Sequence, residues 1–153
     1  MTDLARSDYR LLSALQQDTT LSQIDLAERS GKSRTSVWRR IRELEDAGLI
    51  GDKVALLNPD AFGLQIHVML SVSMVKHSDR TRKEFEAHVE TLPEVMECYS
   101  VSGDRDYQLL ILSKNMEAYN DFLNRDILDH PSVHSASSSF ALRRVKYTTA
   151  LPI

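Results

Sequence analysis

The amino-acid sequence predicts an α+β chain in two parts: a winged helix-turn-helix, then a ferredoxin-like βαββαβ domain. Three observations carry that expectation. Apolar residues recur at helical spacing through the first third of the chain. They switch to strict alternation at residues 66–74. The remainder then reads as helix, strand, strand, helix, strand.

Taken in order, residues 8–17 place Leu11, Leu12 and Leu15 on one helical face, with Asp8 as the expected N-cap. After the polar break Asp18-Thr19-Thr20, Ser22 and Asp25 have capping-box spacing, and Leu21 and Leu26 occupy the staple positions of a second helix. Gly31 suits the left-handed position that ends it. Ser33 caps a third helix that runs to about Ala47, with Gly48 as terminator. Two short helices joined by a tight glycine turn read as a helix-turn-helix, although a plain helical hairpin has the same pattern. Leu49-Ile50, the Gly51-Asp52 turn and the run 54–57 then predict a small β-hairpin, the wing. Asn58-Pro59 breaks the pattern. The expected division is therefore 1–57 for the winged helix-turn-helix, 58–63 for a linker and 64–153 for the second domain.

In the second domain Ile66, Val68, Leu70, Val72 and Met74 alternate with more polar positions, which predicts a strand. Phe85, Val89 and Leu92 predict a helix over 81–92. Residues 95–102 and 106–112 read as strands around the Gly103 turn. Met116, Tyr119, Leu123 and Ile127 define another helix, and 133–145 a last long strand. Both helices then cover one face of the sheet. The other face needs cover that an oligomer interface would supply.

Composition narrows the function classes. Among 153 residues the net charge is −3, with 9 Lys/Arg against 10 Asp/Glu before Gly63 and 10 against 12 from there on. Any nucleic-acid surface must therefore be local. One stretch qualifies: between positions 29 and 42 stand Arg29, Lys32, Arg34, Arg39, Arg40 and Arg42, with no acid. Cys98 is the single cysteine, so an internal disulfide and a cysteine-based zinc site are excluded, and a reducing, cytoplasmic setting is expected. No apolar run has membrane-spanning length, and the start lacks the features of a signal peptide. His67, His77, His88, His130 and His134 show no metal-ligand spacing, so no metal is expected. Nucleophile elbows, phosphate-binding glycine loops and catalytic triads are absent from the sequence, which argues against an enzyme.

Projected at about 100° per residue, the third helix turns Val37, Ile41 and Leu44 inward and Thr35, Arg39 and Arg42 outward, with Ser36 and Arg40 on a flank. That outward face suits the major groove of double-stranded DNA, where Arg pairs bidentately with guanine. Lys32, Ser33 and Arg34, at the turn and helix N-terminus, suit phosphates. The alternative is a solvated charged face with ion pairs along the helix. Trp38 lies at the boundary and reads as a packing aromatic.

With these residues in place the chain resembles the leucine-responsive regulatory protein/AsnC family along nearly its whole length. The matching segments are Asp8-x-x-x-Leu12-x-x-Leu15-Gln16-x-Asp18, Leu26-Ala27, Gly31-x-Ser33, and Arg40-Ile41-x-x-Leu44-Glu45-x-x-Gly48-Leu49-Ile50. They continue with Val101-Ser102-Gly103-Asp104-x-Asp106-Tyr107, Val145-Lys146, Thr148-Thr149 and Leu151-Pro152. The resemblance implies a transcriptional regulator that dimerises through its second domain and assembles into larger rings such as octamers. It also implies a free amino acid as effector, held between dimers. Carried over, it nominates Ser100, Val101, Ser102, Gly103, Asp104, Asp106 and Tyr107, with Ser137, Ser139 and Phe140 from the last strand.

The chemistry of these residues fits such a ligand. Asp104 and Asp106 can accept from an ammonium group, and backbone N–H groups at Gly103 can hold a carboxylate. Equally, Asp106 can cap the hairpin and Tyr107 can be core. A DNA-architectural protein without an effector, or an amino-acid-binding regulatory subunit of metabolism, are the remaining alternatives.

Overall fold

The computed structural model describes residues 4–153, which divide into two compact units: 1–56 with 146–153, and 57–145. In the first unit α1 (Arg6–Gln17), α2 (Gln23–Ser30) and α3 (Arg34–Asp46) bury Leu11, Leu15, Leu26, Ala27, Val37 and Leu44 against one another. Local chemistry sets the boundaries. Ser22 and Asp25 form the expected reciprocal capping box, and Gly31 takes the left-handed conformation at φ 71°. The Ser33 hydroxyl accepts from the Ser36 N–H to open α3. At the start of α1 the expectation needs correction. Ala5 is the N-cap, and Asp8 sits one turn further in, where its carboxylate accepts from the Ala5 N–H at 3.1 Å.

Two further corrections concern this unit. Residues 49–57 form no strand, so the predicted wing hairpin is a loop without a ladder. The reason is visible at its first arm. The N–H groups of Leu49 and Ile50 both donate to the Leu44 carbonyl, at 2.9 and 3.3 Å, in finishing α3, and are lost to any hairpin. Val54, Leu56 and Leu57 are left exposed. The tail, expected to belong with the second domain, packs with the first unit over residues 146–153. There the Gln16 amide grips it from both sides, donating to the Leu151 carbonyl and accepting from the Leu151 N–H at 2.9 and 2.8 Å.

The second unit is an antiparallel sheet of order β2-β3-β1-β4: β1 (Ile66–Met74), β2 (Val95–Ser100), β3 (Tyr107–Ser113) and β4 (Val133–Phe140). The helix α4 (Asp79–Val89) and the helix α5 (Met116–Phe122), which runs on as a π-helical turn (Leu123–Leu128), supply Phe85, Val89, Tyr119, Phe122 and Ile127. These pack on Val68, Leu70, Val72, Met74, Tyr107, Leu109 and Ile111. Strand alternation therefore sends His67, Met69, Ser71 and Ser73 to the helix-free face. The last strand is shorter than expected, ending at Phe140 instead of reaching Val145. Its partner β1 begins at Ile66, and beyond the Ala141 N–H to His67 carbonyl bond no ladder partner remains.

Candidate functional site

In the first unit the candidate surface is the outer face of α3. Arg34, Thr35, Arg39 and Arg42 are exposed there, Ser36 is half-buried, and Ser33 is held by its capping bond. Arg42 lies with its guanidinium carbon 4.1 Å from the centroid of the exposed Trp38 ring, a cation–π contact that holds both side chains on the outer surface. Arg39 is 77% exposed and approaches only Glu43, at 3.4 Å. Trp38 thus packs against an arginine and not against the core.

Arg40 has a different role from the one its place in the cation run suggests. Its Nε and Nη2 donate to the two oxygens of Asp8 at 3.1 and 2.8 Å, and its Nη1 donates to Glu43 at 2.9 Å. Lys32 adds a second cation 3.4 Å from Asp8. The Arg40 hydrogen bonds hold the 1%-exposed Asp8 carboxyl below its ordinary 3.8, against the burial that would raise it. Asp8 and Glu43 in turn raise the Arg40 guanidinium. A fork clamped on a buried carboxylate is not available to a base edge, so Arg40 anchors α3 to α1. Sequence reasoning missed this pairing although a signal was there: Asp8, Leu11 and Leu15 share one face, which puts an acid inside an apolar stripe.

In the second unit the Gly103 turn, with φ 116° at the glycine, exposes Ser100, Val101, Ser102, Asp104 and Arg105. The Val101 N–H closes it by donating to the Asp106 carbonyl at 3.0 Å. Asp106 itself is occupied. Its carboxylate accepts from the Met74 N–H at 2.8 Å and faces His77 Nδ1 at 3.0 Å, so it clasps the end of β1. Tyr107 is core, 2% exposed, with its ring 5.0 Å from Phe85 and its hydroxyl donating to Glu86 at 2.7 Å. Burial pushes that phenol well above its ordinary value.

The nominated strand residues divide between the two faces. Ser137 and Ser139, opposite Ser71 and Met69, lie on the helix-free face. Phe140 lies on the other, edge-on to Tyr119 at 5.4 Å. The last-strand hydroxyl that the turn reaches is Ser135, two residues before the nominated pair. Arg105 Nη1 donates to it at 3.4 Å and to Ser73 Oγ at 3.2 Å. Arg105 is not among the residues that the family resemblance nominates. Cys98, on β2 opposite Leu109, has a thiol raised by desolvation and by the nearby Glu86, the reverse of a reactive thiolate. Among the described residues no group of three or more His, Cys, Asp and Glu can hold a metal, and no helix is long and apolar enough to cross a membrane.

The family model for the Lrp/AsnC ligand binding domain matches residues 67–151, and that for a winged helix-turn-helix DNA-binding domain matches residues 4–50. The chain belongs to the Lrp/AsnC family. It is 37% identical to the DNA-binding transcriptional activator DecR of Escherichia coli, over 98% of this chain and 99% of that one. A transcriptional regulator of Neisseria meningitidis, solved as a complex with L-methionine, superposes with a TM-score of 0.93 at 35% identity, covering 98% and 97% of the two chains. An AsnC family regulator of Agrobacterium tumefaciens superposes at 0.92 with 40% identity, covering 97% of each. The winged helix-turn-helix and α+β class read from the sequence hold for this Lrp/AsnC chain, with its wing segment a loop without a ladder.

Proposed function

We propose that this Lrp/AsnC regulator reads DNA with Arg34, Thr35, Arg39 and Arg42 and contacts the backbone around Ser33 and Ser36. The observation that carries the reading is the exposed cationic face that runs from Arg34 to Arg42 along α3, opposite the buried Val37 and Leu44. Lys32, partly covered and paired with Asp8, contributes charge at the edge of this surface. The effector is a free amino acid bound at the Gly103 turn, in keeping with the relative solved with L-methionine. The protein works in the cytoplasm as a homodimer, or a ring of dimers, joined through the helix-free sheet face around the exposed Met69, with the Ser73–Ser135 end of that face, beside the Gly103 turn, outside the seam.

Binding to an operator fragment, titrated against salt, tests the reading. Arg39→Ala should weaken specific binding by roughly 1–3 kcal/mol and relax sequence preference, while Arg34→Ala should lower the salt slope by about one. Operator binding at wild-type affinity by folded Arg39→Ala protein would contradict the assignment. Sedimentation of the full chain as a stable monomer at micromolar concentration would remove the assembly.

A further inference from the structure

The helix-free face carries a polar row, of which the sequence nominated Ser137. Ser73 and Ser135 are cross-strand partners on β1 and β4, and Ser71 and Ser137 form the next pair on the same face. The Ser71 hydroxyl donates to Gln108 Oε1 at 2.8 Å, which extends the row to β3. Arg105 reaches from the turn to one end of it, where a single guanidinium nitrogen, Nη1, donates to both Ser73 and Ser135.

Two consequences follow from donor bookkeeping. A serine oxygen that accepts a hydrogen bond keeps its own proton to give away, so both hydroxyls remain donors toward a ligand above them. Among the described residues, Nε and Nη2 of Arg105 have no acceptor, although two acids flank it in sequence. Asp106 is held by the Met74 N–H and His77, and among the contacts of the described residues Arg105 donates no hydrogen bond to Asp104. The exposed fork beside two donor hydroxyls has the shape and charge that a carboxylate matches in two-point fashion. A purely structural role fits poorly. The Ser73–Ser135 register is already fixed by the β1–β4 ladder, and two long bonds from one exposed nitrogen add little to it.

We propose that Arg105, with the hydroxyls of Ser73 and Ser135, is the carboxylate cradle of the effector site and receives the α-carboxylate of the free amino acid. This rests on the reading that an amino acid binds at the Gly103 turn. It replaces the backbone N–H groups expected from the sequence with a side-chain fork one residue before Asp106. The exposed Asp104 supplies the opposite charge for the ammonium group. Recognition of the α-carboxylate distinguishes a free amino acid from the same residue inside a peptide.

The test uses the full chain. Melting shifts are screened against the twenty amino acids, and each ligand found is measured by calorimetry beside its α-carboxamide. The acid should bind and the amide should bind at least tenfold more weakly. R105Q should lose at least tenfold in affinity for the acid, R105K should fall between, and S135A should lose severalfold. R125Q, which alters an exposed arginine paired with Asp126 on the π-helical turn, should bind as wild type does. Equal binding of acid and amide, or undiminished binding by R105Q, overturns the cradle while leaving the amino-acid reading intact. If no amino acid binds the wild-type chain at millimolar concentration, that reading fails and the cradle falls with it.

Discussion

In the helical unit the Asp8 carboxylate is 1% exposed and faces two cations, Arg40 and Lys32. In the sheet unit the Asp106 carboxylate is 25% exposed and faces a backbone N–H and the His77 ring. Both acids tie distant segments together, α1 to α3 in one case and the end of β1 to β3 in the other. They differ in what they withdraw from function. Asp8 takes cations out of the surface proposed to read DNA, so Arg40 becomes a strut and the outer face is left to Arg34, Arg39 and Arg42. Asp106 takes a main-chain donor, which leaves the neighbouring Arg105 free to reach the serine row. An acid buried among side chains demands a cation. One at a strand end can be satisfied by the backbone.

Breaking the first clasp should have the largest effect. Asp8→Ala leaves Arg40 with only Glu43 and removes a buried carboxylate, which should cost about 2–3 kcal/mol of unfolding free energy, below the full penalty for a buried pair because Arg40 stays partly wet. Chemical denaturation measures this. A loss under about 0.5 kcal/mol, the scale of an ordinary surface substitution, would refute the anchoring role. The pH dependence provides a second check. The folded Asp8 carboxyl lies below 3.8, so its contribution is present above that value and is lost as pH falls from there through the folded value. Asp8→Ala should therefore flatten the acid limb below about pH 4.

Removing the second clasp should cost less. Asp106→Ala deprives the Met74 N–H of its acceptor at the partly open end of β1, for a loss of roughly 1–2 kcal/mol. Hydrogen exchange should show the faster opening at Met74 and not in α3. Uniform loss of protection along β1 would mean that Asp106 supports the whole sheet and not its end.

The smallest effect separates the two units by pH. His130 packs 4.9 Å from His88 with its Nδ1 accepting from the Ser132 N–H, and burial followed by His88 lowers it from the ordinary 6.5. A base lowered on folding takes up its proton later than the unfolded chain does. Stability should therefore fall as pH drops through 6.5 to the folded value and level off below it. His130→Gln should flatten that step and leave the limb below about pH 4, to which Asp8 contributes, unchanged. A step at pH 6.5 that survives the substitution would assign it elsewhere.

The sequence by itself determined the helices, the sheet and its order of elements, because the information is local. The Ser22–Asp25 box, the Gly31 turn and the alternation along β1 act over a few residues and appear as expected. The outward face of α3 was legible for the same reason, since helical periodicity alone turns Arg39 and Arg42 away from Val37. Only the tertiary structure decided which charged groups remain available. Asp8 meets Arg40 across 32 positions and Met74 meets Asp106 across 32, and no periodicity spans such distances. The wing segment lacks the expected β-ladder for a related reason: whether Leu49 and Ile50 could pair as a strand depended on the Leu44 carbonyl, which had already taken their N–H groups. Arg105 gained its place in the same way. Two acids flank it in the sequence, but the fold gives Asp106 to the backbone and brings Ser73 and Ser135 under the guanidinium from two other strands. Local sequence sets where a side chain points, and competition among donors and acceptors in the folded chain decides what it meets there.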